Sequence, residues 1–314
     1  MSVFLGIDTS NYTTSVSIVS DGGYRHERQI LEVAEGERGL RQSSALFLHT
    51  KNLPVLMEKL APIGNIDAVA YSDKPRDEEG SYMPCFLCGE AVARSVAATL
   101  GVPALRFSHQ AGHIMAAAKT CENPEIAGSP FLCYHVSGGT TELVLAAPSE
   151  ENGFDVKIVG GTADISAGQL IDRAGVLMGL KFPCGGELEK LASGAGKQRV
   201  KISAVGAKCN FSGAENKVIK ALRDGKSKPE VARYALDYCA ESLIASVDAA
   251  RKELGELPVL FAGGVMRNTI IREELRKRLC DVFFGSVELS SDNSVGTGWL
   301  GRDKLERSGK WNGR

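Results

Sequence analysis

The sequence predicts an α/β protein of two domains, and three observations carry that prediction. A strand, a small polar tip and a second strand open the chain. The same grammar recurs after about 130 residues, a spacing too long for solenoid repeats. A strand, a diglycine and a helix then follow near the end. The 314 residues allow two domains at roughly 150 residues each. In order, Val3 to Asp8 and Thr14 to Val19 flank the polar stretch Thr9 to Thr13, which predicts a hairpin. Ile66 to Tyr71 reads as a strand and Gly89 to Leu100 as a helix. The second hairpin runs from Phe131 to Val136, through Ser137, Gly138, Gly139 and Thr140, into Thr141 to Ala146. Helical patterns follow at Gln169 to Leu180 and Ala232 to Arg251. Val259 to Ala262 reads as a buried strand, Gly263 and Gly264 as a tight turn, and Asn268 to Leu279 as a helix.

Glycines in such loops let backbone amides approach a phosphate or purine, and a helix amino terminus adds partial positive charge. One such loop is most often only a turn. Two polar-tipped hairpins followed by a diglycine loop have the layout of the actin-like ATPase superfold. In that architecture two ribonuclease-H-like domains hold a nucleotide and metal in the cleft between them. The expected domains are residues 1–126 with 292–314, and residues 127–291, the chain returning to the first domain for its last helix.

Composition excludes several classes. Charged residues interrupt every apolar run before the roughly 18 to 20 residues that a membrane-spanning helix requires. Met1 to Asp8 has no basic leader or cleavage pattern, so a cytoplasmic location is expected. With 37 basic and 38 acidic residues, the net charge of -1 argues against a uniformly nucleic-acid-like surface. Eight scattered cysteines are too few for a disulfide framework, and the lone C-x-x-C at Cys85 and Cys88 reads first as packing.

Two stretches point to chemistry. His109 and His113 lie four apart on a predicted helix capped by Ser108, so both rings can reach one divalent metal. Spacing alone equally allows two histidines that merely hydrogen-bond. A zinc peptidase is disfavoured, because H-E-x-x-H needs a glutamate where this chain has Gln110. From Lys190 to Lys228 there are ten lysines and arginines against Glu215 and Asp224, a local charge of +8. Phosphate neutralisation supplies most sequence-independent affinity for nucleic acid, so Lys197, Arg199, Lys201 and Lys208 are candidate nucleic-acid contacts. A solvated basic face is the bland alternative.

Taken in order, Gly6-Ile7-Asp8-Thr9-Ser10, Asp67 to Tyr71, His109 with His113, Val136-Ser137-Gly138-Gly139, Ala167-Gly168 with Asp172, Phe211-Ser212-Gly213, Gly263-Gly264-Val265 with Asn268, and Asp292-Asn293 resemble the tRNA threonylcarbamoyladenosine synthases, the universal threonylcarbamoyl transferases once labelled glycoproteases. The resemblance spans nearly the whole chain. It implies that His109, His113 and Asp292 hold one divalent metal, iron or zinc, and that Ser137, Gly138, Gly139, Gly168, Asp172, Gly263, Gly264 and Asn268 contact an adenine nucleotide, ATP or threonylcarbamoyl-adenylate. It further implies transfer of the threonylcarbamoyl group to the exocyclic amine of the adenosine 3′ of the tRNA anticodon, with a paralogous partner subunit and a small ATPase as helpers. A homo- or heterodimer fits this pattern.

The chain departs from the family at several polar positions. The usual Thr-Ser-Cys-Asp-Glu is Thr9, Ser10, Asn11, Tyr12, Thr13; Ser-Gly-Gly-His-Thr is Ser137 to Thr141 with Thr140 for the histidine; and Gln169 stands where a glutamate is usual. An acidic loop with Asp77, Glu78 and Glu79 replaces a glycine-rich one. These changes mark a divergent paralogue and leave two other readings open: a non-catalytic nucleotide-binding scaffold, and carbamoyl transfer to a different acceptor.

Overall fold

The computed structural model describes residues 2–10, 12–32, 40–290 and 293–307. The chain forms two compact units, one of Met1–Lys119, Ala147–Val156 and Glu288–Arg314, the other of Thr120–Ala146 and Lys157–Val287.

In the first unit, β1 (Val3–Ser10), β2 (Thr13–Ser20) and β3 (Gly23–Ile30) form an antiparallel meander. After α1 (Gln42–Leu60), β4 (Ala68–Lys74) pairs parallel with β1, placing Ile7 opposite Tyr71. Next come α2 (Phe86–Leu100), β5 (Ala104–Ser108), which lies parallel to β4, and α3 (His109–Thr120). The sheet order is β3-β2-β1-β4-β5. Side chains alternate across a strand, so Leu5 and Ile7 pack with Leu53, Leu56 and Ala93, while Phe4 packs on the other face with Val19, Ala68 and Ala116. Cover on both faces explains why β1 and β2 read as nearly continuous runs of small or apolar residues. Charged β3, GYRHERQI, forms one edge of the sheet.

The second unit contains β6 (Phe131–Val136), β7 (Thr141–Ser149) and β8 (Gly153–Thr162), the outer part of the β7–β8 hairpin belonging to the first unit. Helices α4 (Ala167–Leu177) and α5 (Gly185–Ala192) follow, then β9 (Ser203–Val205), β10 (Lys208–Asn210), α6 (Ser212–Arg223) and α7 (Lys228–Leu254). The unit closes with β11 (Val259–Ala262), a 3-10 turn at Gly264–Arg267, α8 (Thr269–Arg278) and β12 (Val282–Phe284). Its sheet order is β12-β11-β6-β7-β8-β10-β9. The core gathers Tyr134, Phe211, Tyr238, Leu243 and Phe261, and the buried Tyr134 hydroxyl is satisfied by Ser246 at 3.1 Å. Finally α9 (Val295–Arg307) packs in the first unit.

Both hairpins form where the sequence places them, but the first tip is shorter than Thr9 to Thr13, because Thr9, Ser10 and Thr13 are strand residues with Ser10 opposite Thr13. Other boundaries move for local reasons. Helix α7 starts at Lys228, ahead of the periodic region, because Ser227 and Glu230 make a capping box with Pro229 in the first turn. The 3-10 turn separates the diglycine from α8, and Asn268 sits outside that helix as its cap, accepting from the Ile271 amide at 3.0 Å. Among the described residues no helix is long and apolar enough to cross a membrane.

Candidate functional site

The parallel strands β1, β4 and β5 end on the same edge of their sheet, and their last residues supply Asp8, Ser72 and Ser108. Carboxyl edges of such sheets are where ligands usually bind. Ser108 also caps α3: its hydroxyl accepts from the Ala111 amide at 3.2 Å and donates to Asp77 Oδ2 at 2.6 Å. Asp77 pairs in turn with Lys74 at 3.0 Å, and the Gln110 amide donates to Pro75 O at 3.0 Å. The acidic loop therefore fastens the start of α3.

His109 and His113 occupy consecutive turns of that helix, both half-buried, with Nε2 atoms 2.9 Å apart and rings edge-on at 78°. The 2.9 Å separation is that of a hydrogen bond between the rings, and it is shorter by a few tenths of an ångström than the roughly 3.3 Å between two nitrogens about 2.0 to 2.1 Å from one tetrahedral ion, so a small ring rotation brings the pair to the spacing of a shared divalent cation. On the far side of its ring, His109 Nδ1 lies 3.2 Å from the fully buried Asp8 carboxylate. Phe86 flanks the same ring at a centroid distance of 6.3 Å. Asp292 lies outside the described residues, and among the described residues no three His, Cys, Asp or Glu side chains converge as a metal set. Its neighbour Asn293 is held by Leu289 O at 2.9 Å and accepts from the Val295 amide at 3.1 Å, which fixes the entry to α9. Cys85 and Cys88 are buried, and burial pushes the Cys85 thiol up to about 11, the nearby Asp8 charge adding to it. A raised thiol is a poor source of thiolate.

In the second unit, a cavity of about 370 Å³ is lined by Gly138, Gly168, Asp172, Gly264 and Asn268 together with Arg267 and Glu189. Five of the eight nucleotide positions expected from sequence thus meet at one cavity. The other three, Ser137, Gly139 and Gly263, are chain neighbours of residues that line it but do not line it themselves. Ser137 closes the β6–β7 tip: its amide donates to the Thr140 carbonyl at 2.7 Å and its hydroxyl accepts from the Thr140 amide at 3.1 Å. Gly139 is in the same tip. Gly263 has φ +101°, and a β-carbon there would collide with the Val136 carbonyl, its carbon lying only 2.7 Å away. Gly168 is similarly constrained, because a β-carbon would fall 2.6 Å from Gly138 Cα. Asn268 spends its oxygen on the α8 cap, while its buried Nδ2 has no partner among the described residues. Asp172 accepts from the Cys184 amide at 2.8 Å, and Glu189 accepts from the Thr269 amide at 2.7 Å.

Gln169, one of the sequence departures, has a structural task. Its side chain accepts from the Ser166 amide at 3.1 Å while Ser166 Oγ accepts from the Gln169 amide at 3.0 Å, a capping box that glutamine completes as well as glutamate.

The basic segment divides. All four of Lys197, Arg199, Lys201 and Lys208 are exposed, but Lys197 lies 2.5 Å from Glu274 and 3.1 Å from Glu241 and so is engaged by carboxylates. Nearby, Asp164 anchors the amino terminus of α6, accepting from the Phe211 and Ser212 amides at 2.8 and 3.0 Å and from Ser212 Oγ at 2.5 Å. Partial burial opposes its charged form, but the Ser212 hydroxyl and the two amides outweigh that and hold the carboxyl below its ordinary value. Because the folded pKa is depressed, this stabilisation is complete above the unfolded value and is lost as pH falls through the lower, folded one. Asp164→Ala is expected to cost about 1 kcal/mol at neutral pH, as for a lost helix cap, with the gap to the parent protein shrinking below about pH 4. Urea titrations across pH check this, and a gap that persists unchanged into acid contradicts the role given to the charge.

Comparison with known proteins settles the family. The family profile described as TsaD, tRNA N6-adenosine threonylcarbamoyltransferase, matches residues 15–299. The chain belongs to the TsaD family. Two proteins named tRNA N6-adenosine threonylcarbamoyltransferase align along nearly all of it. The Riemerella anatipestifer protein is 26% identical over 98% of this chain and 94% of its own length. The Porphyromonas gingivalis protein is 27% identical over 93% and 90%. Among solved structures, full-length HypF in a phosphate- and nucleotide-bound form superposes with a TM-score of 0.65 at 12% identity, covering 97% of this chain and 56% of that longer one. Component A of the Acidaminococcus fermentans (R)-2-hydroxyglutaryl-CoA dehydratase gives 0.55 at 15% identity over 97% of both chains. A Streptomyces griseus ROK-family glucokinase gives 0.51 at 13% identity over 96% and 99%. The fold is that of the actin-like ATPases, as the two hairpins and the diglycine loop predict.

Sequence reasoning left three polar contributors without a role. Arg267 and Glu189 carry no local signature beyond being charged. Asp8 sits in a matching motif, but its partner is 101 residues away, a distance no spacing rule reaches.

Proposed function

We propose that this chain transfers a threonylcarbamoyl group from threonylcarbamoyl-adenylate to the exocyclic amine of the adenosine 3′ of the tRNA anticodon. The observation that carries the reading is the convergent His109–His113 pair, with ring nitrogens 2.9 Å apart, in a chain of the TsaD family. A divalent ion, iron or zinc, on His109, His113 and Asp292 would supply Lewis-acid polarisation of the adenylate. The residues of the second unit do the binding: backbone at Gly138 and Gly264 admits phosphate or sugar closely, Asn268 Nδ2 offers an unused donor, and Arg267 supplies positive charge at the cavity. Their contribution is to hold a large reactant in place for attack, which supplies most of what such a transfer requires from a protein. Exposed Arg199, Lys201 and Lys208 form the tRNA contact, with Lys197 bracing its own neighbourhood through Glu274. A paralogous partner subunit and a small ATPase complete the assembly, in the cytoplasm.

The test is mass spectrometry of nucleosides from unmodified tRNA incubated with metal-loaded protein and threonylcarbamoyl-adenylate, with and without candidate partners. The expected product is threonylcarbamoyladenosine. Its absence from every combination, with metal and adenine nucleotide still bound, would leave a non-catalytic scaffold or a different acceptor. The replaced polar residues at Tyr12, Thr13 and Thr140 favour that second reading.

A further inference from the structure

We infer that Asp8 is a positioning residue for the metal pair: it fixes the proton of His109 on Nδ1 and so turns the lone pair of Nε2 toward His113. The inference rests on the metal reading for its purpose, but its geometry stands by itself. Asp8 is fully buried at the end of β1, and three donors surround it. Ser10 Oγ donates to Oδ2 at 2.9 Å, Ser72 Oγ donates to Oδ1, and His109 Nδ1 lies 3.2 Å from the carboxylate. Two hydroxyls and a ring nitrogen around one buried carboxylate satisfy an acceptor, and a carboxylate has nothing to give back. The shared proton on that ring therefore belongs to Nδ1.

The consequence reaches the second histidine. With its proton on Nδ1, His109 can only accept at Nε2, so the 2.9 Å contact to His113 Nε2 makes His113 the donor. The two rings meet edge-on, with centroids 4.3 Å apart, as that arrangement requires. One proton thus occupies the point where two nitrogen lone pairs would meet on a cation. To hold an ion at that point His113 would have to carry its proton on Nδ1 in place of Nε2, whereas His109 would need no change. Carboxylate partners of this kind orient ligating histidines and raise their basicity, and losing one typically weakens metal binding about 10- to 100-fold.

The serines make Asp8 specific to this task. Ser10 lies two residues on in the same strand, and Ser72 lies in β4, beyond the Ile7–Tyr71 pair. They hold the carboxylate before any ligand arrives. An alanine at position 8 keeps the strand but leaves His109 free to carry its proton on either nitrogen.

The experiment uses the full chain, with zinc alone as the titrant and long-range proton–nitrogen NMR of the histidine rings in the metal-free protein. The parent protein is expected to show His109 protonated on Nδ1 and to bind zinc. Asp8→Ala should give a mixed His109 tautomer and zinc binding weakened 10- to 100-fold, while Asp8→Asn, whose amide oxygen still accepts, should restore Nδ1–H and part of the affinity. His109 protonated on Nε2 in the parent overturns the inference, as does an Asp8→Ala variant with unchanged tautomer and affinity. If the parent does not bind zinc, the metal reading falls, and the His109 tautomer still decides the role of Asp8. Should Asp8→Ala fail to fold, the parent spectrum and Asp8→Asn carry the test.

Discussion

His113→Ala is expected to abolish stable metal binding and, with it, threonylcarbamoyl transfer. The variant removes one of two nitrogens that meet within 2.9 Å. Losing a direct ligand should exceed the loss of an outer partner, so affinity should fall by at least about 100-fold, or about 2.7 kcal/mol. Helix α3 should survive, because alanine is the best helix former and Ala116, Ala117 and Ala118 already fill the next turn. Metal content after gel filtration, measured beside circular dichroism, checks both halves. Full metal occupancy in a folded His113→Ala protein would remove the pair from the site altogether.

Gly296→Ala should be the most destabilising single substitution proposed for this chain. Two magnitudes compete. Alanine is preferred over glycine by about 1 kcal/mol in a helix interior, and Gly296 lies in the first turn of α9, so propensity favours alanine there by at most that amount. Against it, a β-carbon at Gly296 would run into the Gly112 carbonyl, with Gly112 C at 2.8 Å and the Ala116 amide nitrogen at 2.9 Å. Overpacking against movable side chains costs roughly 1 to 3 kcal/mol. Here the obstacles are backbone atoms of another helix, so about 3 kcal/mol or more is expected, a large share of the 5 to 15 kcal/mol that a folded domain typically has. Gly112 is also the neighbour of His113, so the helix that must shift is the one that carries His109 and His113. A urea midpoint equal to or above that of the parent protein would show that propensity wins and that the two helices can separate at little cost.

What could be read from the sequence follows from the range of the interactions involved. The two hairpins were legible because their strands are buried on both faces and their tips are short and polar, all properties of adjacent residues. The α3 cap was legible for the same reason, since Ser108 and Ala111 are three residues apart. Gly168 and Gly263 were noticed as glycines open to a ligand, yet each is also required because another segment of backbone passes close by. Only the folded chain reveals which reason applies. The basic stretch was legible as charge but not as a surface, because Glu241 and Glu274 reach Lys197 from distant positions. Asp8 and its two serines form a set only through the parallel pairing of β1 with β4 and of β4 with β5. Gln169 shows the converse: compared residue by residue it looks like a lost carboxylate, whereas in the fold it completes a cap.

The position of α9 also bears on the order in which the protein can be built. Chains are synthesised from the amino terminus at roughly 5 to 20 residues per second, and domains generally fold as units as they emerge. Residues up to Lys119 leave the ribosome first, yet the helix that covers Phe4, Val19 and Ala68 with Val295 arrives last. All segments of the second unit, through Val287, are available before it. The unit begun early in the chain is therefore completed late: the sheet face around Phe4 has Ala116 of α3 against it from the start, but gains Val295 and its share of the cluster only when α9 docks.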